Sequence, residues 1–293
     1  MLALFFEITL KIVRIYGICS IILWVFLYFV YITKGERMNY QFGVYTDEGR
    51  IRENNEDNYY INGITKPMEE SKRIGAGESC QGPLLLAVCD GMGGEEAGEV
   101  ASSIAVERMK DYEGPFSTWY RQYIEAVNKE IVSTPGTGRH MGTTLSALTV
   151  ENDVVTSVNL GDSRTYLYRN GELKQLSFDH SEFELMKRAG LYKEEDYYSS
   201  NVRNGLTRSL GMPEDYGEAE PFVSEPVALM PGDKLLICSD GMCGTLRNEE
   251  MIPFLIKDAY PEDRCKEMVM HALDKGSRDN VTAIICDVMA FQS

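Results

Sequence analysis

Two distant stretches of this chain share one short design. The first runs Leu84-Leu85-Leu86-Ala87-Val88-Cys89-Asp90-Gly91-Met92-Gly93-Gly94, the second Lys234-Leu235-Leu236-Ile237-Cys238-Ser239-Asp240-Gly241-Met242-Cys243-Gly244. Each is an apolar run that ends in Asp-Gly-Met-x-Gly. A short apolar run bounded by glycine reads as a buried strand. The aspartate then stands where the strand leaves the core, and the glycine allows a sharp backbone turn behind it. One such aspartate is an ordinary turn residue. Two, each delivered by a stiff buried strand, read as carboxylates aimed at a common point. Carboxylates gathered in a cleft repel one another unless a hard cation holds them together.

The rest of the chain bounds this reading. At 293 residues it is long enough for one large domain or two small ones, and residues 40–287 contain no linker, low-complexity tract or long charge block. One domain is the expectation. The net charge of −16 argues against nucleic acid as a partner and suits divalent cations. The chain carries seven cysteines and no CxxC pair. Cys89, Cys238 and Cys286 lie inside apolar runs and read as small core residues in a reducing compartment.

The N-terminus differs in kind. Residues 15–33 are 19 consecutive uncharged residues rich in Ile, Leu, Val, Phe and Tyr. That length spans a bilayer as a helix and exceeds a signal-peptide core. Residues 1–37 are therefore expected to form a single-pass anchor, a transmembrane helix with membrane contact through 15–33. Lys11 and Arg14 on one side match Lys34 and Arg37 on the other, so charge does not set the orientation. The alternative is a mis-assigned start, with translation beginning at Met38 and a cytoplasmic product.

The globular part opens with a strand-like segment at 41–46, a polar run through Asp57, and a second strand at 58–62. Ala97, Val100, Ala101, Ile104 and Ala105 share one helical face, as do Tyr120, Ile124, Val127 and Ile131 on a second helix. A meander follows, with strands at 143–150, 154–160 and 164–169 and a two-residue hairpin signal at Asn170-Gly171. Ser181-x-x-Glu184 opens a helix running toward Gly190. Residues 191–204 show no period and read as a mobile surface segment. Pro261 starts a last helix with Cys265, Met268, Val269, Ala272 and Leu273 inward and Gly276 as its stop. Residues 281–288 form the final strand. Neighbouring strands with paired helices before and after predict helices packed outside two stacked antiparallel sheets.

Three more acidic residues join Asp90 and Asp240 at strand ends: Asp57 in Asn-Glu-Asp, Asp162 in Gly-Asp-Ser-Arg, and Asp279 in Ser-Arg-Asp-Asn. Oxygen-only ligands select Mg²⁺, Mn²⁺ or Ca²⁺ over Zn²⁺ or Cu²⁺. Two such ions close together can activate a water and neutralise a phosphoryl group. An arginine completes such a site by gripping phosphate oxygens, and Arg52, on the loop before Asp57, is the candidate.

These motifs, in this order, carry a resemblance. Arg52-x-x-x-Glu56-Asp57, Asp90-Gly91-Met92-Gly93-Gly94, Met141-Gly142-Thr143-Thr144, Gly161-Asp162-Ser163-Arg164, Asp179-His180, Ser239-Asp240-Gly241 and Asp279-Asn280 resemble the protein phosphatase 2C (PP2C, PPM) family of metal-dependent serine/threonine phosphatases in its bacterial form. The resemblance covers the whole globular part. It implies an α+β fold, a four-layer α-β-β-α sandwich, with residues 38–293 as the phosphatase domain. It implies hydrolysis of phosphoserine and phosphothreonine by water activated at a binuclear Mn²⁺ or Mg²⁺ centre, with a weaker third ion.

By the same resemblance Asp90 bridges both metals, the Gly91 carbonyl binds the first, and Asp240 and Asp279 bind the second. Asp57 orients bound water, Arg52 clamps phosphate, and Asp162 holds the third ion. Residues 191–204 resemble the flap that meets protein substrates. Met92 departs from the eukaryotic pattern, where a histidine serves as general acid, and His180 is an indifferent substitute. The implied partners are phosphoproteins, a serine/threonine kinase and its targets, with the enzyme a monomer facing the cytoplasm. The competing reading is a pseudophosphatase, a regulatory binding module without metals. It requires missing aspartates, and none is missing.

Overall fold

The computed structural model describes residues 38–79, 83–93, 97–134, 141–200, 202, 205–213 and 219–290. The two apolar runs with which the chain repeats itself become the central strand of one sheet and an inner strand of the other. The first sheet has the order β10 (Glu172–Gln175), β9 (Arg164–Arg169), β13 (Lys234–Cys238), β14 (Val281–Met289), β1 (Asn39–Asp47), β4 (Lys72–Ser79). The second has the order β11 (Phe222–Val223), β8 (Val154–Leu160), β7 (Leu145–Glu151), β5 (Leu84–Met92), β2 (Asp57–Ile61), β3 (Ile64–Thr65), with β12 (Val227–Ala228) also on β8 and β6 (Gly142–Thr143) on β5. Neighbouring strands pair antiparallel throughout.

Side-chain alternation sorts the core into layers. Along β5, Leu84, Leu86 and Val88 point between the sheets, where they join Phe42, Val44, Ile237 and Ile284. Leu85, Ala87 and Cys89 point outward onto Ala101, Ala105, Ile124 and Val127 of helices α1 (Ala97–Arg108) and α2 (Phe116–Ser133). A short helix α3 (Glu182–Arg188) follows β10, with Ser181 accepting from the Glu184 amide at its start. On the far side, Leu236, Cys238 and Ile285 meet Met242, Met251, Cys265, Met268 and Val269 of α4 (Asp240–Cys243), α5 (Asn248–Ile256) and α6 (Pro261–Asp274). The layers are helix, sheet, sheet, helix. Strands covered on both faces must be apolar at every position, which is why these runs are unbroken. Each fully buried Leu or Ile contributes roughly 1.5–3 kcal/mol. A charged residue is admitted only where the strand reaches the rim.

The hairpins are those the sequence predicts: Asn152 and Asp153 have φ of 52° and 60°, Asn170 and Gly171 φ of 53° and 89°. Both pairs suit two-residue type I′ loops. The cysteines Cys89, Cys238, Cys243, Cys265 and Cys286 are free and buried.

Three expectations change. The two Asp-Gly-Met segments diverge, and neither glycine is there to turn a corner. β5 continues through Gly91 and Met92, which pair with Thr143 and Gly142. Asp240 instead opens the one-turn helix α4. Glycine is required by close approach: a Cβ on Gly91 would stand 2.2 Å from the Gly98 carbonyl oxygen, and one on Gly241 2.0 Å from that of Asn280. Second, residues 194–199 form a 3₁₀ turn rather than an irregular segment, because Tyr197 is buried. Its ring lies 4.5 Å from the Arg164 guanidinium carbon and 5.2 Å from the Phe183 ring. Third, the anchor expected over residues 1–37 lies outside the described residues. Among the described residues no helix is long and apolar enough to cross a membrane.

Candidate metal centre

Antiparallel pairing brings the ends of β5, β8 and β13 to the same rim as the starts of β2, β9 and β14. All five acidic residues singled out by the sequence stand on that rim. Asp57 opens β2 directly opposite Asp90 on β5. Asp162 follows Gly161, whose φ of 104° turns the chain from β8 into β9. Asp240 follows β13, and Asp279 precedes β14. Gly91 lies beside Asp90, its amide donating to the Glu56 carbonyl at 3.1 Å.

Asp57 joins the two sheets. Its Oδ2 accepts from Ser239 Oγ at 2.8 Å and from Thr282 Oγ1 at 2.7 Å, both at the rim of the first sheet. Its Oδ1 is buried with no hydrogen-bond partner. A buried carboxylate oxygen in that state is costly and suits a missing ligand. Burial pushes the Asp57 carboxyl up to about 7; the Thr282 and Ser239 hydroxyls oppose this, and Asp279 and Asp240 add to it. Burial likewise raises Asp90 well above the usual carboxylate range, reinforced by Asp57, Asp240, Asp279 and Asp162. Asp162 is raised by burial and by Asp240 and Asp179, against Arg164. Asp90 is thus the carboxylate that feels all four of the others. Among the described residues, though, no three His, Cys, Asp or Glu groups stand drawn together as a set that could hold a metal ion.

Side chains outside the acidic group fix its backbone. Asn280 accepts from the Glu56 amide at 2.8 Å and donates to the Glu48 and Asn54 carbonyls at 2.8 and 2.7 Å. One side chain therefore holds the loop that carries Arg52 against the strand entry that carries Asp279. Arg52 Nη2 donates to Asp279 Oδ2 at 2.7 Å, with roughly half of the arginine side chain exposed. That bond raises the guanidinium above its ordinary value. The Gly-Thr-Thr motif clamps Asp90: the Thr144 amide and Thr143 Oγ1 donate to its carbonyl at 2.8 and 3.0 Å, and its own amide donates to Thr144 Oγ1 at 3.0 Å.

His180 is a structural residue. Its Nδ1 accepts from the Gly161 amide at 3.2 Å and its own amide donates to the Gly161 carbonyl at 2.8 Å. Burial, aided by Arg208, pushes the imidazole down to about 4, so it is neutral where it could act as an acid. Beside it, Arg164 Nε and Nη2 bind both oxygens of Asp179 at 2.6–3.0 Å in a buried pair. Together these bonds fix the turn that presents Asp162.

Four residues that shape the rim were given no role from sequence: Glu56, Ser239 and Asn280, which stand in the motifs quoted above, and Thr282. Glu56 is raised to about 7, mainly by burial, with Arg52 opposing. Its carboxyl lies against Gly98, where an added Cβ would be 2.6 Å from Oε1. Adjacency to Asp57, Asp240 and Asp279 was the available signal for Glu56, Ser239 and Asn280. Thr282 had none.

The fold and site have known counterparts. The model of the family described as Protein phosphatase 2C matches residues 61–281. A Listeria monocytogenes serine/threonine phosphatase, stp, is 34% identical over 254 residues, covering 83% of this chain and 93% of that protein. Streptococcus pneumoniae protein phosphatase PhpP is 29% identical over 252 residues, covering 82% and 94%. The catalytic domain of PstP, solved in complex with two manganese ions, superposes with a TM-score of 0.67 at 26% identity, covering 86% of this chain and 99% of that one. The Streptococcus agalactiae serine/threonine phosphatase superposes at 0.70 with 28% identity, covering 85% and 99%. The chain belongs to the protein phosphatase 2C family. It is thus a member of a family of hydrolases that act on phosphorylated serine and threonine.

Proposed function

We propose that this chain removes phosphate from phosphoserine and phosphothreonine in proteins, using Mn²⁺ or Mg²⁺ held on the rim shared by its two sheets. The observation that carries this is the buried, unpartnered Oδ1 of Asp57, set opposite Asp90 within an all-oxygen donor group. Hard divalent cations fit such donors. Asp90, the Gly91 carbonyl, Asp240 and Asp279 would hold two ions, with Asp57 beside them and Asp162 holding a weaker third. When bound, the ions supply a water ionised near neutral pH and offset phosphate charge.

The chain's own residues do the rest. Arg52, exposed at the mouth, binds phosphoryl oxygens through two guanidinium protons. Asn280 and Asn55 hold the Arg52–Asp57 loop, Asn55 accepting from the Asp57 amide at 3.1 Å and donating to Thr46 Oγ1 at 2.9 Å. Met92 cannot donate a proton and neutral His180 is bound to the Gly161 amide, so the leaving oxygen would take its proton from water that Asp162 helps to hold. The presence of all five aspartates speaks against a metal-free pseudophosphatase.

Residues 38–293 act as one catalytic domain and monomer. The uncharged run at 15–33 anchors it in the membrane with the catalytic domain in the cytoplasm, or is absent if translation starts at Met38. A serine/threonine kinase and its targets are the partners. Hydrolysis of a phosphothreonine peptide with added Mn²⁺, abolished by chelator and by Asp240→Ala, tests the activity. Undiminished hydrolysis by metal-stripped protein would overturn it.

A further inference from the structure

Lys66 is 3% exposed, at the end of the β2–β3 hairpin. Lysine is almost never buried without a compensating partner, because an ammonium loses its hydration when taken out of water. Here Nζ donates to two backbone carbonyls, Asn55 O and Glu70 O, each at 3.1 Å. The residue is not loosely placed. Asn58 grips its backbone from both sides: Oδ1 accepts from the Lys66 amide at 3.0 Å, and Nδ2 donates to the Lys66 carbonyl at 3.1 Å. Carbonyl dipoles alone do not offset a buried unit charge.

The remaining compensation comes from carboxylates. Burial lowers the ammonium from its ordinary value, and the groups that oppose this are Asp57 first, then Glu99 of α1 and Glu70 and Glu69 of the adjoining turn. Of the carboxylates around it, Lys66 feels Asp57 most strongly. The carbonyl it holds belongs to Asn55, whose side chain accepts from the Asp57 amide. Lys66 reaches Asp57 by field and by backbone at once.

We propose that Lys66 is a positioning residue of the carboxylate rim: a resident counter-ion that steadies the Asn55-Glu56-Asp57 segment and moderates how strongly the site draws divalent cations. The second half rests on the metal-centre reading above; the first does not. In a rim where five aspartates repel, one fixed cation relieves part of that repulsion in every state of the protein. The same charge opposes an arriving dication, since like charges repel across a few ångströms of protein even at a high effective dielectric.

A double-mutant cycle in the full chain decides between a counter-ion and a packing residue. Lys66→Gln keeps amide donors for the two carbonyls but removes the charge. Asp57→Asn removes the charge it faces and keeps an acceptor for Ser239 and Thr282. Urea unfolding of the four proteins is followed in chelator at about pH 8, above the value of about 7 to which burial raises Asp57. Lys66→Gln is expected to lower the urea midpoint clearly in the wild-type background and little in the Asp57→Asn background. Calorimetric titration with Mn²⁺ is expected to show about tenfold tighter binding by Lys66→Gln. Equal losses in both backgrounds, or unchanged or weaker Mn²⁺ affinity, would overturn the assignment.

Lys66→Met, which fills the space without charge, repeats the measurement if the glutamine variant does not fold. Variants folded in Mn²⁺ and unfolded in chelator support the counter-ion; variants unfolded in both make Lys66 structural and overturn it. If the wild-type protein takes up no Mn²⁺, the metal reading falls, and the urea cycle still decides the role of Lys66.

Discussion

Asp57 and Asp90 face each other across the antiparallel β2–β5 pair, two carboxylates at a single register position. Like charges directly opposite on a sheet destabilise it, and here burial adds to the repulsion. The fold tolerates this because the pair lies on the rim of a sandwich whose three apolar layers are otherwise unbroken.

That relationship makes the stability of the metal-free protein depend on pH. The Asp57 carboxyl lies at about 7 when folded against its ordinary 3.8 in the unfolded chain. Between those values the native state binds the extra proton, so stability is fully present below pH 4 and lost as pH rises through 7. The loss from this one group is on the order of 4 kcal/mol. Thermal unfolding in chelator should show a lower Tm at pH 8 than at pH 5, and added Mn²⁺ should raise Tm more at pH 8. A Tm in chelator that does not fall across this range would show that the carboxylates do not repel as described.

Asp90→Asn should separate stability from function. It removes a charge that is raised by Asp57, Asp240, Asp279 and Asp162 together. The metal-free variant is therefore expected to be more stable than wild type, by roughly 1–3 kcal/mol, the scale on which functional sites hold strain. Cation affinity and phosphatase turnover should both fall by orders of magnitude. A less stable metal-free variant would mean that Asp90 is a net structural support.

Much of this was legible in sequence, and the failures have physical causes. The runs ending in Asp90 and Asp240 announce their strands because both faces are buried. Asn170-Gly171 announces its hairpin because it readily adopts positive φ. β4, by contrast, reads Lys72-Arg73-Ile74-Gly75-Ala76-Gly77 and shows no alternation. Among the described residues it is an edge strand paired only with β1, and its Gly77 leaves room for Phe42, whose Cε2 would lie 2.6 Å from an added Cβ. Tertiary pairing, not propensity, makes it a strand. α5 hides behind Pro253 inside the helix. In the site, each of the five aspartates could be read from its place at a strand end. The Ser239 and Thr282 bonds to Asp57 could not, because they depend on how one sheet lies over the other.

Asp162→Ala should leave the fold intact and slow turnover on phosphopeptides more than on p-nitrophenyl phosphate. Asp162 stands apart from the Asp57–Asp90 pair, on the turn fixed by His180 and Arg164, and Met92 supplies no acid. If Asp162 serves protonation of the leaving oxygen, a substrate whose leaving group needs no proton is spared. A 10²-fold or greater difference in the kcat/KM losses for the two substrates is the scale expected for general acid catalysis. Equal losses would place Asp162 in binding or structure instead.

His180 should set the acid limit of stability. Its imidazole lies at about 4 in the folded protein against its ordinary 6.5 in the unfolded chain, because it is buried and stands near Arg208. Below 6.5 the unfolded chain takes up a proton that the native state refuses until about pH 4. Stability is therefore complete above 6.5 and is lost as pH falls toward 4, by roughly 3 kcal/mol from this residue. His180→Asn keeps an acceptor near the Nδ1 position and does not titrate. The variant should start with similar or slightly lower stability at pH 7 and lose less of it by pH 4.5, measured by urea midpoints across that range. An undiminished acid loss in His180→Asn would show that His180 does not set this limit.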